Sequence, residues 1–384
     1  MSTIAWLILV ISASANYVIP LFPIYQQLFP LSTGMMTTLF SVYLLSLIPF
    51  LLSAHKLLQR FSAFQLAGMS LGFALLSVVI GLFNNSLLGL FLMRILQGAG
   101  VGLFMGIIHP LFMENITANE QLKSSKLTGT MTLLGFGLGP LICSITAELL
   151  LDKAILSALI ALGIILFSGL MIWLSLNRTK SPDRQNSFDT TATALQIPKV
   201  FWQVIVPAVV TMYALNGPVL SLLPSYTRTL LHTKNLIVSG SLMFVLLSGG
   251  LLLQKLPWVK EPFKRLQLGL IFLLMGTSCV ILGGFYGKLI WLIIGIVCHA
   301  VATNWIYPSA ITLTSQLVDA KVRTRLLIVL YIMGYLGLGI PTVIIGQIAN
   351  HLGMVNALCC GLIVAIVVSL WVIMRAQYFK NEFE

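Results

Sequence analysis

The chain has 384 residues, 58% hydrophobic and only 8% charged, with a mean hydropathy of +1.00. Soluble domains carry about 25% charged residues, so this composition excludes a water-soluble globular protein. The formal net charge of +12 follows from where lysine and arginine fall between the apolar stretches, and it requires no nucleic-acid partner.

A helix needs about 20 apolar residues to cross a bilayer. Twelve stretches qualify: 4–25, 34–54, 63–83, 87–111, 126–148, 154–176, 201–225, 236–254, 266–286, 289–313, 326–349 and 354–374. Backbone in lipid must satisfy its own hydrogen bonds, and the alternation of a β-barrel is absent. The expectation is an all-α membrane protein with twelve transmembrane helices.

The first span carries Ala13-Ser14-Ala15, which looks like a signal-peptidase site. No positive residue precedes it and apolar character continues to Tyr25, so an uncleaved helix is expected. Asn16 and Tyr17 form a polar break within it. Trp6 and Trp371 lie near span ends, as interfacial anchors do.

The fourth span holds a permanent charge, Arg94, in an otherwise apolar run from Leu87 to Phe112. Arg94 is seven residues in, about 10 Å deep at 1.5 Å per residue. Burying it costs at least about 2.5–3.5 kcal/mol unless it meets a partner or water. Arg94, Gly98, Val101 and Met105 share one narrow helix face, with Gln97 and His109 within about 60°. Two readings follow. Arg94 bonds backbone carbonyls or Gln97 and joins helices, or it lines a water-filled cavity and attracts an anionic group.

Gly98, Gly102 and Gly106 repeat every four residues, as do Gly135 and Gly139 in the fifth span. Small residues at this spacing let helices approach closely. Gly139 precedes Pro140, which lacks a donor N–H, so a bend there could hinge or seal a cavity. In the tenth span His299 lies near the midplane, and histidine changes charge near neutral pH. A hydrogen-bonded packing role is its alternative, as it is for His109 near the mouth of the fourth span.

The inter-span loops alternate in charge. Residues 55–62, 114–126, 177–200, 254–265, 314–325 and the tail from Arg375 hold 17 of the 22 Lys and Arg. The positive-inside rule makes that side, and both termini, cytoplasmic. All five cysteines fall within spans without metal-ligand spacing, so no metal and no cofactor are expected. Asn115-Ile116-Thr117 and Asn177-Arg178-Thr179 match the glycosylation pattern but lie on the cytoplasmic side.

The polar segment 177–200 separates six spans from six. Its composition is that of a linker, so residues 1–176 and 201–384 are expected as two six-helix halves. Three features recur at near-constant offset. Pro23 and Tyr25 recur as Pro224 and Tyr226, Pro110 as Pro308, and Pro140 as Pro341. Duplicated, pseudo-symmetric halves about an axis along the membrane normal are the architecture of major facilitator transporters.

The motifs carry the same resemblance. Arg94-Ile95-Leu96-Gln97-Gly98 with Gly102 resembles the fourth-helix signature R-x-x-Q-G of the major facilitator superfamily. Gly135-Phe136-Gly137-Leu138-Gly139-Pro140 resembles the fifth-helix G-x-x-x-G-P motif associated with antiporting exporters. The loop between the second and third spans keeps Leu57 and Arg60 of that family's charged signature and departs from it at His55, Gln59, Ser62, Ala63 and Phe64. The resemblance implies a cavity lined by spans 1, 4, 7 and 10. It would hold Asn16, Tyr17, Arg94, Gln97, Tyr213, Asn216, Asn304, Trp305 and Tyr307, with His299 and His109 as proton-coupling candidates.

The expected activity is secondary active, proton-coupled efflux of a small organic molecule across the inner membrane by alternating access. No acidic residue lies mid-membrane, so an anionic or zwitterionic substrate, such as a carboxylate siderophore, fits better than a cationic drug. An importer or facilitator, and a non-transporting sensor on the same scaffold, are the alternatives. No hydrolase, nucleotide-binding or zinc-protease motif occurs, so no enzyme is expected. The expected partners are the substrate, protons and lipid, with the chain a monomer.

Overall fold

The computed structural model describes residues 2–83, 86–113, 121–175, 197–229, 232, 235–253, 259, 261–317 and 320–383. Within these, the side chains of residues 2, 109, 113, 121–126, 252–253, 317, 320–322, 324 and 380–383 are not described. The expected linker at 177–200 falls outside the described residues except at its last four positions.

Every described regular element is helical. The order is α1 Ser2–Asn16, a 3₁₀ turn at Ile19–Leu21, α2 Phe22–Leu28, α3 Thr33–Leu57, α4 Ala63–Phe83, α5 Leu87–Met113 and α6 Gln121–Leu149. Then come α7 Ala154–Ser175, a π turn at Phe201–Ile205, α8 Val206–Thr229, α9 Leu236–Ser248 and the single turn α10 Gly250–Leu253. The chain ends with α11 Pro262–Tyr286, α12 Leu289–Leu317, α13 Ala320–Leu352 and α14 Met354–Phe383.

Two spans differ from the expectation. The first is not one helix: it stops at Asn16, turns through Ile19–Leu21 and resumes as α2. Pro20 and Pro23, each in the opening turn of its piece, supply no N–H to a continuous ladder. The eighth, expected at 236–254, is a 13-residue helix, a turn at Gly249 and a four-residue helix. Among the described residues, eleven helices are long and apolar enough to cross a membrane, and Leu236–Ser248 is shorter.

The chain divides into two compact units. One comprises Met1–Leu31, Val42–Asp189 and Thr233–Ser248; the other comprises Ser32–Ser41, Thr190–His232 and Gly249–Glu384. In the first, α6 packs along α1 and α9, and α4 along α5. The glycines explain how closely. A Cβ on Gly98 would run into the Tyr43 carbonyl, one on Gly102 into the Leu47 carbonyl, and one on Gly139 into the Ala13 carbonyl. Gly98 and Gly102 thus seat α5 against α3, and Gly135 and Gly139 seat α6 against α1. In lipid no hydrophobic force separates helix from solvent, and such contacts carry the packing.

In the second unit α11 lies along α12, and α8 along α13. Its core contains Phe201, Met212, Leu266, Leu273, Ile306 and Leu330. Both units turn large apolar side chains outward, including Ile164, Phe167, Val364, Val367 and Leu370. An apolar surface on this scale suits a hydrocarbon solvent.

Candidate functional site

In the first unit the residues converge on Arg94. Its side chain is fully buried. Nη1 donates to the Ala15 carbonyl at 3.2 Å and to Gln97 Oε1 at 2.9 Å. The guanidinium carbon stands 4.6 Å from the centre of the Tyr43 ring, a cation–π distance. The Ala15 contact has a local cause. Because α1 stops at Asn16, Ala15 is among the last carbonyls of a helix, where the dipole favours a cation. The break in the first span therefore creates an acceptor for the charge in the fourth.

The neighbours complete the cluster. Asn16 and Tyr17 are buried beside Ala15, and the Tyr17 hydroxyl lies 3.4 Å from Thr146 Oγ1 of α6. Tyr25 of α2 is within electrostatic reach of Arg94. Gln97 Nε2 and Tyr25 Oη are buried polar atoms without a hydrogen-bond partner among the described residues. A cavity of about 500 Å³ lies in this unit beside Tyr25, Asp152 and Lys153. None of the residues expected at the site lines it. His109 sits in α5, but its side chain is outside the described set.

In the second unit His299 is fully buried in α12. Its Nδ1 is 2.7 Å from Asn216 Oδ1, and its Nε2 is 3.2 Å from Thr277 Oγ1. Asn216 Nδ2 donates to Thr303 Oγ1 at 2.8 Å, and that hydroxyl donates to the His299 carbonyl at 2.9 Å. The amide orientation places its oxygen on the ring, which puts the proton of a neutral ring on Nδ1. Thr277 then donates to Nε2. If Nε2 also carries a proton, Thr277 accepts it and turns its own hydrogen to the Leu273 carbonyl, 3.0 Å away. Both protonation states are satisfied without moving a heavy atom.

Asn304 and Trp305 lie one turn beyond. Asn304 Nδ2 donates to the Ala300 carbonyl at 2.9 Å, and Trp305 meets Phe272 edge-on at 5.4 Å between ring centres. Tyr213 and Tyr307 are edge-to-face at 6.0 Å, and Tyr307 and Tyr331 at 6.1 Å. The Tyr213 ring fits because a Cβ on Gly334 would crowd it at 2.8 Å. Tyr331 is 44% exposed, and it is nine residues from the exposed Ile340, half a rotation around α13.

The structure thus brings Arg94, Gln97, Asn16 and Tyr17 together, His299 with Asn216, and Tyr213 with Tyr307. Sequence reasoning missed Tyr43, Thr277, Thr303 and Tyr331, which matter through partners distant in the chain. It also placed Arg265 in a loop, whereas the residue lies in the first turn of α11. Among the described residues, no group of three or more His, Cys, Asp or Glu could hold a metal ion.

The model of the Major Facilitator Superfamily matches residues 4–342. The chain belongs to the major facilitator superfamily. It is a multi-pass membrane transporter and not an enzyme. Solved structures share the fold of this major facilitator chain at low identity. A bacterial homolog of the human lysosomal transporter Spinster, inward-facing and unoccupied, is 12% identical with a TM-score of 0.77, covering 99% of this chain and 96% of that one. A mutant peptide transporter POT in complex with sulfate is 13% identical with a TM-score of 0.79, covering 98% and 94%. A D-xylose-proton symporter is 14% identical with a TM-score of 0.75, covering 98% and 95%. No curated protein matches the chain.

Proposed function

We propose that this transporter exports a small organic molecule bearing an anionic group, coupled to inward proton movement, by alternating access of two six-helix halves. One observation carries the substrate reading. A buried cation, Arg94, bonds Gln97 Oε1 and lies within electrostatic reach of Tyr25, and Gln97 Nε2 and Tyr25 Oη are buried donors with no hydrogen-bond partner among the described residues. A guanidinium with amide and phenol donors is a coordination set for a carboxylate. In the present conformation the Ala15 carbonyl and Gln97 Oε1 occupy Nη1. An incoming carboxylate would therefore exchange with these contacts, as in a site that opens and closes.

The proton reading rests on His299, whose partners satisfy both the neutral and the charged ring. The outward direction rests on the Gly-Pro motif at Gly139-Pro140, where α6 meets α1 in a tight contact. The D-xylose-proton symporter shares the fold alone and does not set the direction here.

The test is metabolite profiling of cells with and without the chain, comparing cytoplasm with medium. Export of an organic acid predicts its accumulation inside deletion cells and its loss from the medium. Depletion inside, with the compound left in the medium, would reverse the direction and make the protein an importer. No change in either pool would favour a non-transporting role. Arg94→Ala should then reproduce the deletion profile at normal protein abundance, while Arg94→Lys retains part of the flux.

A further inference from the structure

Helix α12 runs unbroken from Leu289 to Leu317 with Pro308 inside it. Proline has no N–H, so the carbonyl four residues earlier loses its helical donor. That carbonyl belongs to Asn304. The neighbouring helix supplies a substitute: Arg265 Nη2 donates to the Asn304 carbonyl at 3.1 Å.

The surroundings hold this pairing in register. One turn beyond Arg265, on the same face of α11, Gly269 lets the two helices touch. A Cβ there would sit 2.7 Å from the Ile306 side chain and 3.3 Å from Trp305 Cβ. On another side, a Cβ on Gly250 would collide with the Asn304 side chain. The segment from Asn304 to Tyr307 is therefore fixed by a charged donor, a glycine seat and the Trp305–Phe272 ring contact.

We infer that Arg265 is a positioning residue that stands in for the missing Pro308 amide and so fixes the proline break of α12. The role is independent of which molecule is carried. It assigns a function to the one arginine of the 254–265 stretch, which has its side chain half-buried within a helix rather than in a loop. Pro308 removes one donor from the Asn304 carbonyl, so one replacement donor suffices. Lysine can replace arginine here, and methionine, of similar reach but without a donor, cannot.

The test is a double-mutant cycle on the full-length protein in detergent, read by thermal unfolding. Arg265→Met should lower the midpoint by about 3–6 °C, given that a hydrogen bond to a charged group is lost. Pro308→Ala restores the N–H to Asn304, so Arg265→Met added to Pro308→Ala should cost about 1 °C or less. Arg265→Lys should keep most of the wild-type midpoint. Amide hydrogen exchange over residues 300–312 should quicken in Arg265→Met and slow again in the double variant. If Arg265→Met alone cannot be produced, recovery of folded protein on adding Pro308→Ala supports the inference equally. Equal losses with and without Pro308→Ala would overturn it, as would a failed recovery or an Arg265→Lys variant as unstable as Arg265→Met.

Discussion

Arg94 and His299 are both fully buried, yet their surroundings differ in kind. Arg94 is held by a carbonyl that exists because a helix ends, so its placement depends on the Tyr17–Pro20 break. Truncating it to alanine abandons the Ala15 and Gln97 acceptors inside the unit. Leaving a buried group unsatisfied costs about 1–3 kcal/mol. Arg94→Ala should lower the unfolding midpoint accordingly, and Gln97→Ala should cost less in that background than in the wild type. His299 instead closes a chain that reaches Thr303 through Asn216 and Leu273 through Thr277. His299→Gln can replace one of the two ring contacts but cannot carry the proton. In reconstituted vesicles it should keep substrate exchange at equal pH on both sides and lose the response to an imposed pH gradient. An unchanged response would remove His299 from the coupling path. The arginine, the histidine and the glycines stood out in the sequence because charge, titration and small size are local properties. Tyr43, Thr277 and Thr303 did not, because ordinary span residues gain meaning only from a partner on another helix.

Helices in this protein are positioned by what is absent from their sides. Gly102 and Gly139 meet backbone carbonyls directly, whereas Gly72 in α4 faces open space, with nothing within 4 Å of where a methyl group would stand. Alanine at the first two positions must push whole helices apart, at about 1–3 kcal/mol each. Gly72→Ala meets no obstacle and gains helix propensity, at most about 1 kcal/mol. Thermal unfolding of the three variants should therefore separate them by sign; a loss at Gly72 matching that at Gly139 would refute the seating of α6 on α1. Helix ends are set by similar local chemistry. The Glu148 carboxylate accepts the Leu236 N–H at 2.9 Å, at the first residue of α9. An anion there suits the helix dipole. Glu148→Gln should keep the acceptor and lose about 0.3–1 kcal/mol of charge interaction, an effect that high salt should shrink. Span boundaries were legible wherever apolar runs met charged loops. The interruption after Ser248 was not, because Gly249-Gly250 lies in a run that stays apolar on both sides.

Across the whole chain, the count of crossings fixes the sidedness of every loop. Among the described residues, eleven helical spans are long enough to cross, and Leu236–Ser248 has 13 residues, about 20 Å at 1.5 Å per residue. A hydrocarbon core is about 30 Å thick. If the α9–α10 pair did not cross, every loop after it would change sides, and the termini would lie on opposite faces. The charge pattern argues otherwise. The 17 basic residues of one loop set include those of 254–265, 314–325 and the tail, and these join the basic side only if the pair crosses. Moving them to the other side would break the K/R bias that orients such chains. A fluorescent protein that folds only in the cytoplasm, fused after Glu384, should therefore light up, and so should one fused before Met1. A reporter active only on the non-cytoplasmic side, placed after Lys288, should also be active. A dark C-terminal fusion beside a bright N-terminal one would mean eleven crossings. It would also separate the chain from the even, duplicated plan that its recurring prolines at Pro23 and Pro224, and at Pro140 and Pro341, point to.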